Sequence, residues 1–139
     1  MDAGARTEAY GSDLRLEVWG PDLAACADAA LRAFAEHVAD VPAAAPRQRR
    51  EIELEAADPP GLLVELVDEA IARIDIDGEL ACGFDGAVDE RSPRLAGGLL
   101  TVDLGSLALL GAPPKAATWH RAHLEREGRR WHGTVLLDL

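Results

Sequence analysis

The chain has 139 residues, 48% of them hydrophobic, which is enough for one domain with its own core and excludes a disordered chain. Its 25 acidic residues outweigh 14 basic ones, a formal net charge of −11, so direct binding to nucleic acid is not expected, while metal ions and basic proteins stay eligible as partners. No apolar run nears the roughly 20 residues that cross a bilayer, the first ten residues hold no signal-like stretch, and two cysteines make no disulfide framework, so a reducing cytoplasm is the expected setting.

Residues 1–8 read as a disordered tail and 9–139 as the domain. Leu14, Leu16 and Val18 alternate with Arg15 and Glu17, the period of a half-buried strand. Gly20-Pro21-Asp22 then breaks the pattern, with Asp22 as the expected N-cap. Leu23, Ala27, Ala30, Leu31, Phe34 and Val38 recur at helical spacing over about four turns. After the break at residues 42–46, Glu51 to Glu55 alternates as a second strand. Asp58 is the cap of a second helix, opened by prolines that suit its first turn. Its stripe runs through Leu62, Leu63, Leu66, Val67, Ala70, Ile71 and Ile74, and it should end near Asp75, before Asp77-Gly78.

From Cys82 onward the pattern is strand and turn. Strands are expected near 82–89, 94–104, 116–126 and 130–138, with Glu127-Gly128 closing the last hairpin and Gly111 to Pro114 forming a loop. The order β-α-β-α-β-β-β-β predicts a single α+β domain, its two helices packed on a mixed or antiparallel sheet.

Few chemical motifs stand out. There is no phosphate loop, no close cysteine pair and no paired-histidine helix. Gly97-Gly98 inside a strand reads as a bulge, and Cys26 and Cys82 as small core residues. His37 suits a helix C-terminus, and His132 reads as a surface residue. His120 and His123 have odd spacing, which puts them on opposite faces of a regular strand; His120 alone is a candidate ligand or partner residue.

The acidic residues at strand ends carry more. Asp13 precedes the first strand and Asp138 ends the last one. If those strands are antiparallel neighbours, Asp13, Asp138 and the carboxylate of Leu139 crowd together and favour a bound cation. Such hard oxygen ligands suit calcium, magnesium or manganese.

Taken in order, several segments resemble the archease family over residues 9–139. These are Leu16 to Leu23, Pro46 to Leu54, Leu62 to Glu69 with Asp75 and Gly78 beyond, Lys115-Ala-Ala-Thr-Trp-His120, and the ending Leu137-Asp138-Leu139. Archeases are small acidic helpers of RtcB-type RNA ligases in tRNA splicing and RNA repair, promoting guanylylation of the ligase and its turnover without being enzymes themselves. The resemblance implies that Asp13 and Asp138 belong to a divalent-metal site, and that Lys115 acts at or beside the ligase interface. Tyr10 and His120 join the expected partner-facing set.

Two departures are clear. The family pattern His-Thr-Ala-Asp reads Tyr10-Gly11-Ser12-Asp13 here, so only the aspartate is kept. The segment 104–114 also lacks the family's histidine and acidic residues. A diverged metal-binding or interaction module, no longer tied to RNA ligation, is therefore the alternative reading. A metal-dependent hydrolase built on the two aspartates is disfavoured, because two-metal hydrolysis needs more ligands than the sequence assembles.

Overall fold

The computed structural model describes residues 2–139. Both helices form where the apolar spacing predicts. Helix α1 (Leu23–Val38) starts at Asp22, whose carboxylate accepts the Ala25 N–H at 2.8 Å, and carries His37 in its last turn. Helix α2 (Pro59–Asp77) starts at Asp58, which accepts the Gly61 N–H at 2.9 Å, with prolines in its first turn. It runs two residues beyond Asp75. Gly78, at φ 67°, then closes it in the left-handed conformation, its N–H on the carbonyls of Arg73 and Ile74.

Every strand pairing is antiparallel. Strands β1 (Gly4–Tyr10), β2 (Asp13–Gly20), β8 (Ala116–Glu127) and β9 (Arg130–Asp138) form a sheet in the order β1-β2-β9-β8. Strands β4 (Gln48–Glu55), β5 (Glu79–Asp89) and β6 (Arg94–Asp103) form a second sheet, β4-β6-β5. The short β3 (Ala39–Asp40) and β7 (Ala108–Leu109) make a two-stranded ladder. The expected α+β order stands, with these short strands and an opening strand added.

That opening strand corrects the sequence reading. Residues 4–8, expected in a disordered tail, pair with β2 from Gly4↔Trp19 onward. Gly4 earns its place there: a side chain would meet the Trp19 indole at 2.7 Å. Gly97-Gly98 is a second correction, because β6 keeps its register there. A Cβ on Gly97 would lie 2.5 Å from the Gly86 Cα, and one on Gly98 would meet the Arg49 side chain at 2.4 Å, so close approach explains both glycines. The bulge lies instead in β5 between Ala81 and Gly83, where Asp28 reaches from α1 to accept the Phe84 N–H at 2.9 Å.

The inner faces of the sheets and the apolar faces of the helices form one core. Leu16, Val18, Leu31, Phe34, Leu66, Val67, Leu80, Leu99 and Leu137 are at its centre. Along β2 burial alternates strictly, so Leu14, Leu16 and Val18 point inward while Asp13, Arg15 and Glu17 stand on the outer face. Among the described residues no helix is long and apolar enough to cross a membrane.

Candidate functional site

The site is built by strand register. The hairpin through Gly11, at φ 61°, pairs Tyr10 with Asp13, and β2 pairs Asp13 directly with Asp138 on β9. Directly opposed residues share a face, with Cβ atoms roughly 5 Å apart. The two aspartates thus stand side by side on the outer face at one end of the sheet. Asp138 also pairs with Ala116 on β8, and its carbonyl accepts the Lys115 N–H at 2.6 Å. Leu139 follows, exposed. Tyr10, Asp13, Lys115, Asp138 and Leu139, distant in the sequence, therefore meet at one tip.

His120 belongs to a different device. Between Thr118 and His123 the β8 register slips by three residues, with Arg121 at φ 62°. Alternation does not hold across such a bulge, so odd spacing does not fix the relative faces of His120 and His123. His120 is exposed, and its backbone N–H bonds Thr118 Oγ1 at 3.2 Å. The neighbouring Arg121 reaches across the outer face to donate to the Tyr10 hydroxyl at 2.7 Å. A second arginine, Arg15, lies 5.9 Å from the Tyr10 ring centroid and pairs with Glu8. No spacing rule in the sequence singles out either arginine.

Farther along the same face, Arg6 meets Glu17 at 2.6 Å and Glu17 meets His132 Nε2 at 2.9 Å. The hydrogen bond from His132, with help from Arg6, holds the Glu17 carboxyl below its ordinary value against the opposing effect of burial. His132, expected at the surface, is instead half-buried and hydrogen-bonded to Glu17. Its ring stands 5.6 Å from that of His123. Of the cysteines, Cys26 is buried as expected, whereas Cys82 is half-buried beside a concavity lined by Arg32 and Arg47.

The candidate donors at the tip are the carboxylate oxygens of Asp13 and Asp138, since the Asp138 carbonyl is taken by the Lys115 N–H. This set fits a hard cation that keeps much of its water and does not fit zinc. Among the described residues no three His, Cys, Asp or Glu side chains cluster to enclose a metal. The tip can therefore supply part of a coordination sphere and leave the rest to water or another molecule.

Fold and tip together define a small two-helix α+β protein with paired acids at one end of an antiparallel sheet. The model of the Archease protein family (MTH1598/TM1083) matches residues 8–139, and the chain belongs to this family. It is 29% identical to a probable protein archease of Mycobacterium tuberculosis, a match over 99% of this chain and 75% of the relative. The solution structure of protein 1598 of Methanobacterium thermoautotrophicum is similar, with TM-score 0.73 and 26% identity over 98% of this chain and 99% of that one. The Thermotoga maritima crystal structure of an archease, described as a possible chaperone, shares the fold with TM-score 0.61 and 15% identity, covering 95% and 94% of the two chains.

Proposed function

We propose that this protein is a non-enzymatic activator of an RtcB-type RNA ligase, acting in the cytoplasm in tRNA splicing or RNA repair. It would promote guanylylation of the ligase and its turnover through a divalent-metal site at Asp13, Asp138 and Leu139. The observation that carries this reading is the direct Asp13↔Asp138 pairing, with Lys115 tied to the same point by its N–H on the Asp138 carbonyl.

The residues divide the work. Ladder bonds on both sides of Asp138 fix the backbone at this point, so Asp13 and Asp138 are already side by side before anything binds. Lys115, exposed beside them, offers a compact cation to a phosphate or carboxylate. When bound, calcium, magnesium or manganese would supply Lewis-acid charge at a partner's phosphates.

Tyr10 supports a second reading, that of a diverged module no longer tied to RNA ligation. It stands where the resemblance expects histidine, and its hydroxyl is engaged by Arg121. Calorimetric titration of calcium and manganese into wild type, Asp13→Ala and Asp138→Ala, with guanylylation of the ligase from the same organism, separates the two. Metal binding lost in both variants together with stimulation of the ligase supports the activator. Metal binding without stimulation supports the diverged module, and no binding by wild type removes the metal site from either reading.

A further inference from the structure

Leu109 and Leu110 are 63% and 66% exposed, yet their backbone is pinned. Leu109 pairs with Ala39 in the β3–β7 ladder, and the N–H groups of Leu110 and Gly111 both reach the Val38 carbonyl at the end of α1, at 2.9 and 3.3 Å. Gly111 permits this approach, since a Cβ there would come within 3.1 Å of the His37 carbonyl. Successive strand residues face opposite ways, so one of two neighbours is ordinarily covered. Here both are open, as is Ala108 before them. An apolar pair on a pinned backbone, uncovered among the described residues, is what a docking anchor requires, with its backbone already ordered in the free protein.

Its surroundings point to the kind of partner. Only Gly111 to Pro114 separate Leu110 from Lys115, which bounds the distance to the acidic tip at about 17 Å of extended chain. Asp40 pairs with Ala108 immediately beside the leucines, and Asp13 and Asp138 lie beyond. Tyr10 and Leu139, 40% and 46% exposed, flank those aspartates. This end thus combines apolar anchors with clustered acids on a chain of net charge −11. The complementary surface is a basic cleft with an apolar shelf at its mouth. An enzyme that holds RNA ends must be basic where the phosphates lie.

We infer that Leu109 and Leu110 form the apolar anchor by which this protein docks on its RNA-ligase partner, seating beside the basic cleft that receives the acidic tip. The inference rests on the activator reading and adds to it a surface outside the paired aspartates. Buried at an interface, the leucines would govern residence time, and the acids would govern steering and salt dependence.

The test uses the full-length chain and the purified ligase of the same organism. Affinity, stimulation of guanylylation and melting temperature are measured for wild type, Leu109→Ser/Leu110→Ser and the conservative Leu109→Met/Leu110→Met. The serine variant should melt with wild type and bind the ligase at least about tenfold more weakly, with the methionine variant restoring affinity. That ratio should persist at about 0.5 M salt, where overall affinity falls because the charges are screened. Equal binding by serine variant and wild type, with stimulation intact, overturns the anchor and leaves the activator reading standing. A wild type that neither binds nor stimulates the ligase overturns both. Concentration-dependent dimerisation of wild type, abolished in the serine variant, overturns the inference in favour of a second copy on this patch.

Discussion

Glu17 on β2 and His132 on β9 are held 2.9 Å apart across the sheet, although 115 residues separate them in the chain. Arg6 from β1 approaches the other oxygen of the same carboxylate, so Glu17 ties three strands together on the outer face. Its side chain is only 16% exposed, which limits screening by solvent.

The pH dependence follows from the lowered Glu17 value. The hydrogen bond from His132 and the Arg6 charge favour the ionised carboxyl in the folded state. Glu17 therefore contributes stability fully above its ordinary value of 4.5 and loses it as pH falls through the lowered folded value. Glu17→Gln should cost about 1 kcal/mol at pH 7, and the difference from wild type should shrink as pH falls below the ordinary value of 4.5. Urea unfolding midpoints of both proteins above and below that value measure it.

Asp28 makes a comparable link between layers. Its Oδ1 accepts the Phe84 N–H beside the β5 bulge, and its other oxygen pairs with Arg32 at 3.0 Å. Asp28→Ala leaves that N–H, part-buried between α1 and β5, without its acceptor. A loss of about 1–2 kcal/mol is expected. Asp28→Asn keeps an acceptor for Phe84 and should recover most of the loss in thermal melts.

What the sequence made legible has a physical pattern. Asp22 and Asp58 cap their helices by local rules, so both starts could be read directly. The pairing of Asp13 with Asp138 was also readable, because the first and last regular strands need only be antiparallel neighbours for their ends to meet. β1 escaped because its residues are half-buried or exposed and show no apolar alternation. The Glu17–His132 pair escaped because neither residue carries a local sign of the other. The β8 bulge holds Arg121 at positive φ and Trp119 lying against Gly61 of α2, and no short window encodes such long-range features.

The packing of Trp119 on α2 can be checked directly. Its ring lies over Gly61, where a Cβ would meet ring atoms at 2.4 and 2.6 Å. Alanine at a helix position is ordinarily better than glycine by about 1 kcal/mol. Here Trp119 is 55% exposed and its ring can swing aside, so Gly61→Ala should cost no more than about 1 kcal/mol, which cancels the usual gain. In a Trp119→Ala background less than half that cost should remain. A double-mutant cycle in urea gives the coupling, and additive effects would contradict the packing.

The two thiols should separate under alkylation. Burial, reinforced by Asp22, pushes the Cys26 thiol up to about 11, and Cys26 is only 1% exposed. Burial also raises Cys82, opposed in part by Arg47, and Cys82 is half-buried. At pH 8 iodoacetamide should modify Cys82 slowly and leave Cys26 intact until the protein unfolds. Peptide mass mapping of native and urea-unfolded samples reads both rates.

Lys115 separates what the backbone does at the tip from what the side chain does. Its N–H holds the Asp138 carbonyl at 2.6 Å, while its side chain is exposed. Lys115→Ala keeps the backbone bond, so stability should change by less than about 0.5 kcal/mol and metal affinity should persist. On the activator reading proposed above, stimulation of the ligase should fall, because the cation it offers to the partner would be gone. Lys115→Pro removes the N–H that the Asp138 carbonyl accepts just before β8, at a cost of about 1–3 kcal/mol. Metal affinity should then fall along with stimulation, since Asp138, still paired with Asp13 through β2 and β9, loses its brace on the opposite side. Calorimetry and guanylylation assays on the two variants give this split. Loss of metal binding in Lys115→Ala would show that the ammonium, and not the backbone, organises the aspartates.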